Sequence, residues 1–241
     1  MFTKIPVKSS AWTEDKGADA VCWLPFAGIL CGSFTFLVSL LPQLYKKAAV
    51  ISPVILLLSL YAVCGFLHLD GFMDTADAML SSRDREGKIR ILKDSSVGAF
   101  SVISVVLLSA VLFYSMTFWA AAELHQRCLL IAVPAYSRAF STLMMFTMPP
   151  LADSTIMAFF LRGKSKKHIA LMAAQCIITA AAAFAAAGQA AVIAVFAVAS
   201  ALCLIISLSV RKSLGGINGD ITGAMIVMSE AMMYLLMLVV F

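Results

Sequence analysis

The chain has 241 residues, of which 62% are hydrophobic and only 13% are charged, and its net charge is +5. A water-soluble domain of this size has too little interior to hide that much apolar surface, so the composition excludes a soluble enzyme, a disordered tail and a disulfide-stapled secreted module. It predicts a single all-α, polytopic domain that is embedded in a membrane over residues 1–241.

Seven apolar runs are long enough to cross a bilayer core of about 30 Å, which takes about 20 helical residues. Polar sequence separates them in one long stretch, 68–98, and in two shorter ones, 149–168 and 211–222. We therefore expect about seven transmembrane helices. In chain order the predicted spans are about 24–42, 49–67, 99–122, 128–148, 169–187, 190–210 and 223–241.

The basic residues indicate how these spans are oriented. If all seven cross, the N-terminus and the three polar stretches share one side, and that side carries 14 of the 18 Lys and Arg residues. The other side carries Lys46, Lys47 and Arg127. Positive loops stay inside, so we expect a multi-pass protein of a bacterial or archaeal cytoplasmic membrane with a cytoplasmic N-terminus. The run RGKSKKH (162–168) suits anionic lipid headgroups or, alternatively, a phosphorylated substrate.

Three aspartates follow the second apolar run at helical spacing: Asp70, Asp74 and Asp77, here called the carboxylate face. At 100° per residue they fall within an arc of about 60°, whereas His68 points to nearly the opposite side. Three like charges repel unless a cation lies among them, and no Lys or Arg occurs between residues 48 and 82. Such oxygen ligands suit a hard divalent cation, with Mg²⁺ favoured where phosphates also coordinate. The alternative is a solvated acidic face.

The sequence between the carboxylate face and the third span adds further candidates. SSRDREGKIR (81–90) is typical of a solvated surface helix. In KDSSVGAF (93–100), Asp94 and the two serines after it are predicted N-cap residues of the third span, and Lys93 beside a helix N-terminus suits a phosphate. Asp94 could instead complete the metal site. The chemistry indicated is metal-assisted transfer at a phosphate on the cytoplasmic face of the membrane.

Two charged residues, Arg138 and Glu230, fall inside predicted spans. An isolated charge at that depth is costly, so each needs a partner or a water-filled cleft. The two could pair with each other if their spans are neighbours. Alternatively, Arg138 could line a polar cleft and bind a substrate phosphate.

These motifs resemble the cobalamin synthase family, the adenosylcobinamide-GDP ribazoletransferases. GFLHLDGFMDTADAML and, after it, DREGKIRILKDSSVGAF are similar to the family pattern LHxDGxxDTxDG…DREKxxxIMKDSRxGxFG. The match within 64–100 is the most specific. Four further segments resemble the family in order along the chain: FTKIPV (2–7), LPFAGILCG (24–32), PAYSR (134–138) and GGINGDITGA (215–224).

The resemblance implies a defined reaction in coenzyme B12 biosynthesis. The ribose hydroxyl of α-ribazole, or of its 5′-phosphate, attacks the cobinamide-linked phosphorus of adenosylcobinamide-GDP; GMP leaves, and Mg²⁺ is required. Carried over to matching positions, the resemblance makes the carboxylate face the set of metal ligands, and it makes His68 a candidate general base. It also implies phosphate binding by Arg85 and Lys93 and a contribution from Asp220. The implied catalytic residues are His68, Asp70, Asp74, Asp77 and Asp94.

The chain departs from the family pattern at several positions, none of them in the carboxylate face. Lys4 stands where Arg is usual, Asn218 where Thr is common, and Ala78 and Ser101 where Gly is common. Ser96 replaces an Arg, which removes one expected phosphate contact.

Two other function classes remain as alternatives. A transporter could use Arg138 and Glu230, although the acidic residues concentrate at one face instead of along the spans. A CDP-alcohol phosphotransferase also clusters aspartates at the cytoplasmic face, but the spacing of its motif is not found after Asp70. Membrane lipid is an expected partner and nucleic acid is not; assembly into a homo-oligomer stays open.

Overall fold

The computed structural model describes residues 16–41, 50–152 and 154–241. These residues are helical apart from loops and one isolated β-bridge, which confirms the all-α prediction. Twelve helices occur in the described ranges: α1 (Gly17–Val21), α2 (Leu24–Ser39), α3 (Ser52–Ala62), α4 (Leu67–Leu80), α5 (Arg85–Leu92), α6 (Ala99–Ala121), α7 (Leu124–Arg127), α8 (Leu129–Thr147), α9 (Thr155–Leu161), α10 (Lys166–Ala187), α11 (Ala191–Leu214) and α12 (Gly219–Met237).

Within those ranges, six helical segments are long and apolar enough to cross a membrane. Two of them are nearly continuous helix pairs, α1 with α2 and α7 with α8; the others are α6, α10, α11 and α12. Each coincides with one of the predicted spans to within several residues. The FTKIPV motif with Lys4, and the basic pair Lys46 and Lys47, lie outside the described residues.

The second predicted span, 49–67, is wrong as a single straight helix. The chain instead forms α3 and α4, which meet at an angle of 89°. α3 runs antiparallel to α2, with Ser59 donating to Thr35 at 3.2 Å, and it ends where Cys64 reaches Cys31, about halfway along the α1–α2 segment. α3 and α4 together are still apolar enough to form one broken span or a re-entrant loop, so the described residues hold six or seven candidate spans.

A local stop signal accounts for this break. Gly65 and Phe66 both have φ near +63°, a left-handed conformation that ends helices. The N–H of Gly65 donates to Ala62 and that of Phe66 to Tyr61, which is the paired pattern of a Schellman motif. Glycine adopts this φ without strain, whereas Phe66, which is 46% exposed, is in a conformation that non-glycine residues rarely adopt.

The first and fourth spans pack at very short range because α2 carries a G-x-x-x-G stripe. Cβ atoms added at Gly28 and Gly32 would overlap with the backbone of α8 at Pro134 and Leu130. Small residues at this spacing let two membrane helices approach until their backbones touch. The LPFAGILCG motif is therefore a packing motif.

Most of α12 is buried, against α4, α8 and α11, whereas most of α10 faces outward. The outward side chains of α10 and α11 are apolar, Ile177 and Ile205 among them, and they suit contact with lipid tails.

One end of the bundle collects the polar segments. We call it the polar end and define it by the described residues 16–19, 68–98, 146–152, 154–168 and 211–222. Hydrogen bonds join these segments to one another. His168 pairs with Asp19 at 2.9 Å, and the bridge between the loops at Pro150 and Ile217 is closed by backbone hydrogen bonds. The predicted grouping of these loops on one side is confirmed for the described residues.

At the opposite end, Arg127 joins three chain segments. It is 2% exposed, and its guanidinium donates to the carbonyls of Ser39, Ala120 and Ala122. These carbonyls belong to the ends of α2 and α6, whose last C=O groups have no partner within the helix. Arg127 is therefore a shared C-terminal cap, in addition to being one of the few basic residues on this side.

Candidate functional site

Helix α4 carries the acidic residues that the sequence singles out. It is helical over the whole carboxylate face, as predicted, and it packs against α6 and α12. Gly71 lies so close to α12 that a Cβ there would overlap with the backbone of Asp220. The first turn of α12 thereby brings a fourth carboxylate, Asp220, to the other three.

Asp74 shows the electrostatic strain in this group. It is partly buried and interacts with Asp70, Asp220 and Asp77. Burial first, and then these three neighbours, raise the pKa of Asp74 to about 6. The three aspartates of α4 lie in the polar stretch 68–98, after the predicted span 49–67. None of the charged groups that shift the pKa of Asp74 is a cation, so they do not balance the negative charge of these carboxylates.

The donors fit Mg²⁺ by chemistry. All four are carboxylates, the ligands that a hard divalent cation prefers, and their repulsion is what such a cation relieves. No three acidic, His or Cys side chains of the described ranges converge closely enough to hold an ion as they stand. Ion binding therefore requires the carboxylates to rotate toward one another.

The carboxylate of Asp77, a residue of α4, lies beside the start of α6. The N-cap of that helix is Gly98, where any Cβ would collide with both carboxylate oxygens of Asp77. The free N–H groups of a helix start stabilise a nearby negative charge. Ser101, on the first turn of α6, donates to the carbonyl of Met73 at 2.9 Å and holds the two helices together. Ser101 thus has a structural role at a position where glycine is common in the family.

The predicted N-caps of α6 at 94–96 are wrong, because the helix starts only at Ala99. Asp94 instead accepts the backbone N–H of Ser96 at 2.9 Å, and this bond lowers the pKa of its exposed carboxyl group. Lys93 is the exposed C-cap residue of α5. The roles of Asp94 as a ligand and of Lys93 as a phosphate contact stay predictions.

Arg85 has a structural contact that the sequence did not indicate. Its Nε donates to the carbonyl of Leu214 at 2.9 Å, and its guanidinium lies against Gly215, where α11 ends. Lys88 reaches Ser213 at 3.4 Å from the same helix. α5 is therefore fastened to the end of α11, and phosphate binding by Arg85 can use only its remaining N–H groups.

Arg138 and Glu230 meet in the centre of the bundle, the first of the two alternatives for these charges. Both are 1% exposed, and Arg138 Nη1 lies 2.5 Å from Glu230 Oε1. Ser137 donates to the same carboxylate at 2.9 Å. The other guanidinium nitrogen of Arg138, Nη2, lies 3.6 Å from Cys64 Sγ and 3.5 Å from His68 Nδ1. The ion pair thus ties α8 and α12 to both sides of the break between α3 and α4.

The 3.5 Å contact with Arg138 bears on the hydrogen-bonding role of His68. An arginine can only donate, so a hydrogen bond here has Nδ1 of His68 as its acceptor, and a neutral ring with that bond carries its proton on Nε2. A protonated Nε2 is a donor and has no lone pair with which to act as a base. The geometry therefore favours a donor role over the expected general base.

A cavity of about 250 Å³ opens beside His68 and the start of α12. Asp220 and Thr222 line its polar side. The other walls come from α1, α2, α4, α8, α9 and α12 and are apolar, with Met157 and Ile226 almost fully buried. The cavity therefore joins an apolar space to one of the four carboxylates.

Comparison with known proteins decides the family. A family profile described as cobalamin-5-phosphate synthase matches residues 1–238. The chain belongs to this family. A relative from Clostridium perfringens (strain 13 / Type A) is 38% identical over 231 residues, covering 95% of this chain and 91% of the relative. One from Brevibacillus brevis is 34% identical over 240 residues, covering 98% and 94%. Both are named adenosylcobinamide-GDP ribazoletransferase. No solved structure matches significantly.

Membership in the cobalamin-5-phosphate synthase family confirms the resemblance and sets aside the transporter and CDP-alcohol phosphotransferase alternatives. Two residues that sequence reasoning passed over have roles in the structure. Gly98 leaves room for the Asp77 carboxylate, and Gly65 ends α3. The Gly-Phe pair after an apolar run was an available stop signal for the helix. No sequence signal indicated the cavity, because its walls come from distant segments.

Proposed function

We propose that this chain is an adenosylcobinamide-GDP ribazoletransferase that works at the polar end of the bundle. The observation that carries this is the match to relatives of that name over almost the whole chain, together with four carboxylates gathered where α4, α6 and α12 meet.

In the proposed reaction a ribose hydroxyl of α-ribazole, or of its 5′-phosphate, attacks the phosphorus linked to cobinamide. A new P–O bond forms, the bond to the GMP phosphate breaks, GMP leaves with the bonding electrons, and the hydroxyl proton is released. Asp220 orients the attacking hydroxyl by accepting its hydrogen bond, since its carboxylate lines the cavity beside the other three. His68 donates a hydrogen bond to a substrate oxygen from Nε2.

The carboxylate face holds Mg²⁺ in this proposal, with Asp220 close enough to contribute. When bound, Mg²⁺ would neutralise the negative charge on the diphosphate and on the departing GMP. The start of α6 beside Asp77 supplies N–H groups that stabilise negative charge at the same place.

We further propose that the polar end faces the cytoplasm. It carries 14 of the 18 Lys and Arg residues when the undescribed N-terminal lysines are counted with it, which favours this orientation. Both substrates and GMP would then be exchanged on the cytoplasmic side.

The experiment that tests the activity uses the full chain in detergent micelles or proteoliposomes. With adenosylcobinamide-GDP, α-ribazole and Mg²⁺ we expect GMP and a cobalamin to form in equal amounts, and EDTA should stop both. Absence of GMP release by protein that elutes as a single folded species would contradict the proposal.

A further inference from the structure

We propose that the 250 Å³ cavity between α2, α4, α9 and α12 binds the heteroaromatic base of the acceptor nucleoside and selects for apolar bases. This inference rests on the proposed function and adds to it a binding subsite. Three properties of the cavity carry the inference: its size, its lining and its position.

The size excludes the larger substrate. A volume of 250 Å³ is below the roughly 300–1,000 Å³ of pockets that enclose drug-sized molecules. A corrin macrocycle cannot enter it, whereas a fused two-ring base such as dimethylbenzimidazole can. The corrin ring of the donor must therefore stay outside the cavity.

The lining excludes phosphate. Among the described residues that form the walls there is no Lys or Arg, and Asp220 is negatively charged. The remaining walls are apolar, and they include Met145 and Met157, whose polarizable thioethers make favourable contacts with aromatic rings. A guanine base with its phosphates would lose hydrogen bonds to water without recovering them here, because buried polar groups need partners.

The position matches the chemistry. His68, Asp220 and Thr222 lie on one side of the cavity, and Asp220 is within electrostatic range of Asp70 and Asp74. A base inserted among the apolar walls leaves its ribose at that polar side. The attacking hydroxyl then lies next to the carboxylates, as the proposed transfer requires.

The first test needs no variant. The wild-type enzyme is assayed for GMP release with α-ribazole, with its analogue lacking both methyl groups, and with a purine riboside of the same configuration. We expect the acceptor KM to rise about tenfold when the methyl groups are removed, as is usual for apolar pockets, and further with the purine. Equal KM values for the three acceptors would overturn the inference.

The second test changes the wall. Met157→Gln keeps the length of the side chain but puts an amide into the cavity, and Met157→Leu is the matched control that keeps the wall apolar. We expect Met157→Gln to raise the KM for α-ribazole at least tenfold and to leave the KM for adenosylcobinamide-GDP within twofold. Met157→Leu should raise the KM for α-ribazole far less than Met157→Gln does. A glutamine variant that alters neither KM, or both equally, contradicts the assignment.

If the wild type releases no GMP with any acceptor, the proposed function fails, but the subsite is still decided by equilibrium binding of α-ribazole. Binding to wild type and Met157→Leu that is at least tenfold weaker in Met157→Gln supports it. Equal binding to all three, or none to wild type, rejects it.

Discussion

At the scale of single residues, the site is a set of charges in two environments. The four carboxylates at the polar end repel one another and have no cationic neighbour among the groups that shift Asp74. The charge inside the bundle, by contrast, is balanced: Arg138 and Glu230 neutralise each other and share further donors and acceptors. The first group is suited to bind an ion, and the second to hold the backbone in place.

Replacing Asp74 by Asn tests whether the carboxylates at the polar end bind an ion. The change keeps the size of the side chain and removes one charge from the expected shell of Mg²⁺, so we expect the rate of GMP release to fall by orders of magnitude with normal expression. The control is Asp84→Asn. Asp84 accepts the N–H of Gly87 at 3.0 Å as the N-cap of α5, and asparagine can do the same. A near-normal rate for Asp74→Asn with an unchanged Mg²⁺ requirement would exclude the metal site.

The buried ion pair gives a prediction about stability. Arg138→Gln leaves Glu230 charged and without its partner, which we expect to lower the free energy of unfolding by about 3–5 kcal/mol. Arg138→Gln with Glu230→Gln should recover part of this loss, because no buried charge then remains. Thermal unfolding in detergent measures both. If the single variant unfolds at the wild-type temperature, the pair does not support the break between α3 and α4.

At the scale of helices, the close contact of α2 with α8 depends on two glycines that face another backbone. A methyl group at Gly28 would overlap with the carbonyl of Pro134, so the helices must move apart. We expect Gly28→Ala to cost about 1–3 kcal/mol of stability, the range found for overpacked cores. Ile29→Ala, on the more exposed side of the same helix, is the control and should unfold close to the wild-type temperature.

The helices also show which features of this structure the sequence can predict. Helical periodicity alone placed the carboxylate face on one side of α4, because the spacing of those residues is local. It could not bring Asp220 to them, since that contact arises from the packing of α4 on α12 through Gly71. Phosphate binding by Arg85 came from the family resemblance, and the sequence could not show that Arg85 also bonds the end of α11, 129 residues away in the chain. Hydrophobicity predicted one straight second span because it counts apolar residues and ignores Gly65.

At the scale of the whole molecule, the arrangement of loops predicts sidedness. Single cysteines at positions 86 and 125, in a background with the six native cysteines replaced, lie in exposed loops or helix ends at opposite ends of the bundle. In intact cells we expect an impermeant thiol reagent to label position 125 and to label position 86 only after the membrane is opened. Labelling of position 86 from outside would reverse the orientation.

The length of α3 has a consequence for the surrounding bilayer. Its 11 residues extend about 16 Å, whereas the 23 residues of the neighbouring α6 extend about 34 Å. Val54 and Leu58 on α3 are about half exposed, so this short helix borders lipid. Acyl chains beside it meet a protein surface of about half the usual hydrophobic thickness, which costs energy through mismatch. Catalytic rate should therefore respond to the acyl-chain length of the host lipid, with thinner bilayers relieving the strain at the very helix that leads into α4.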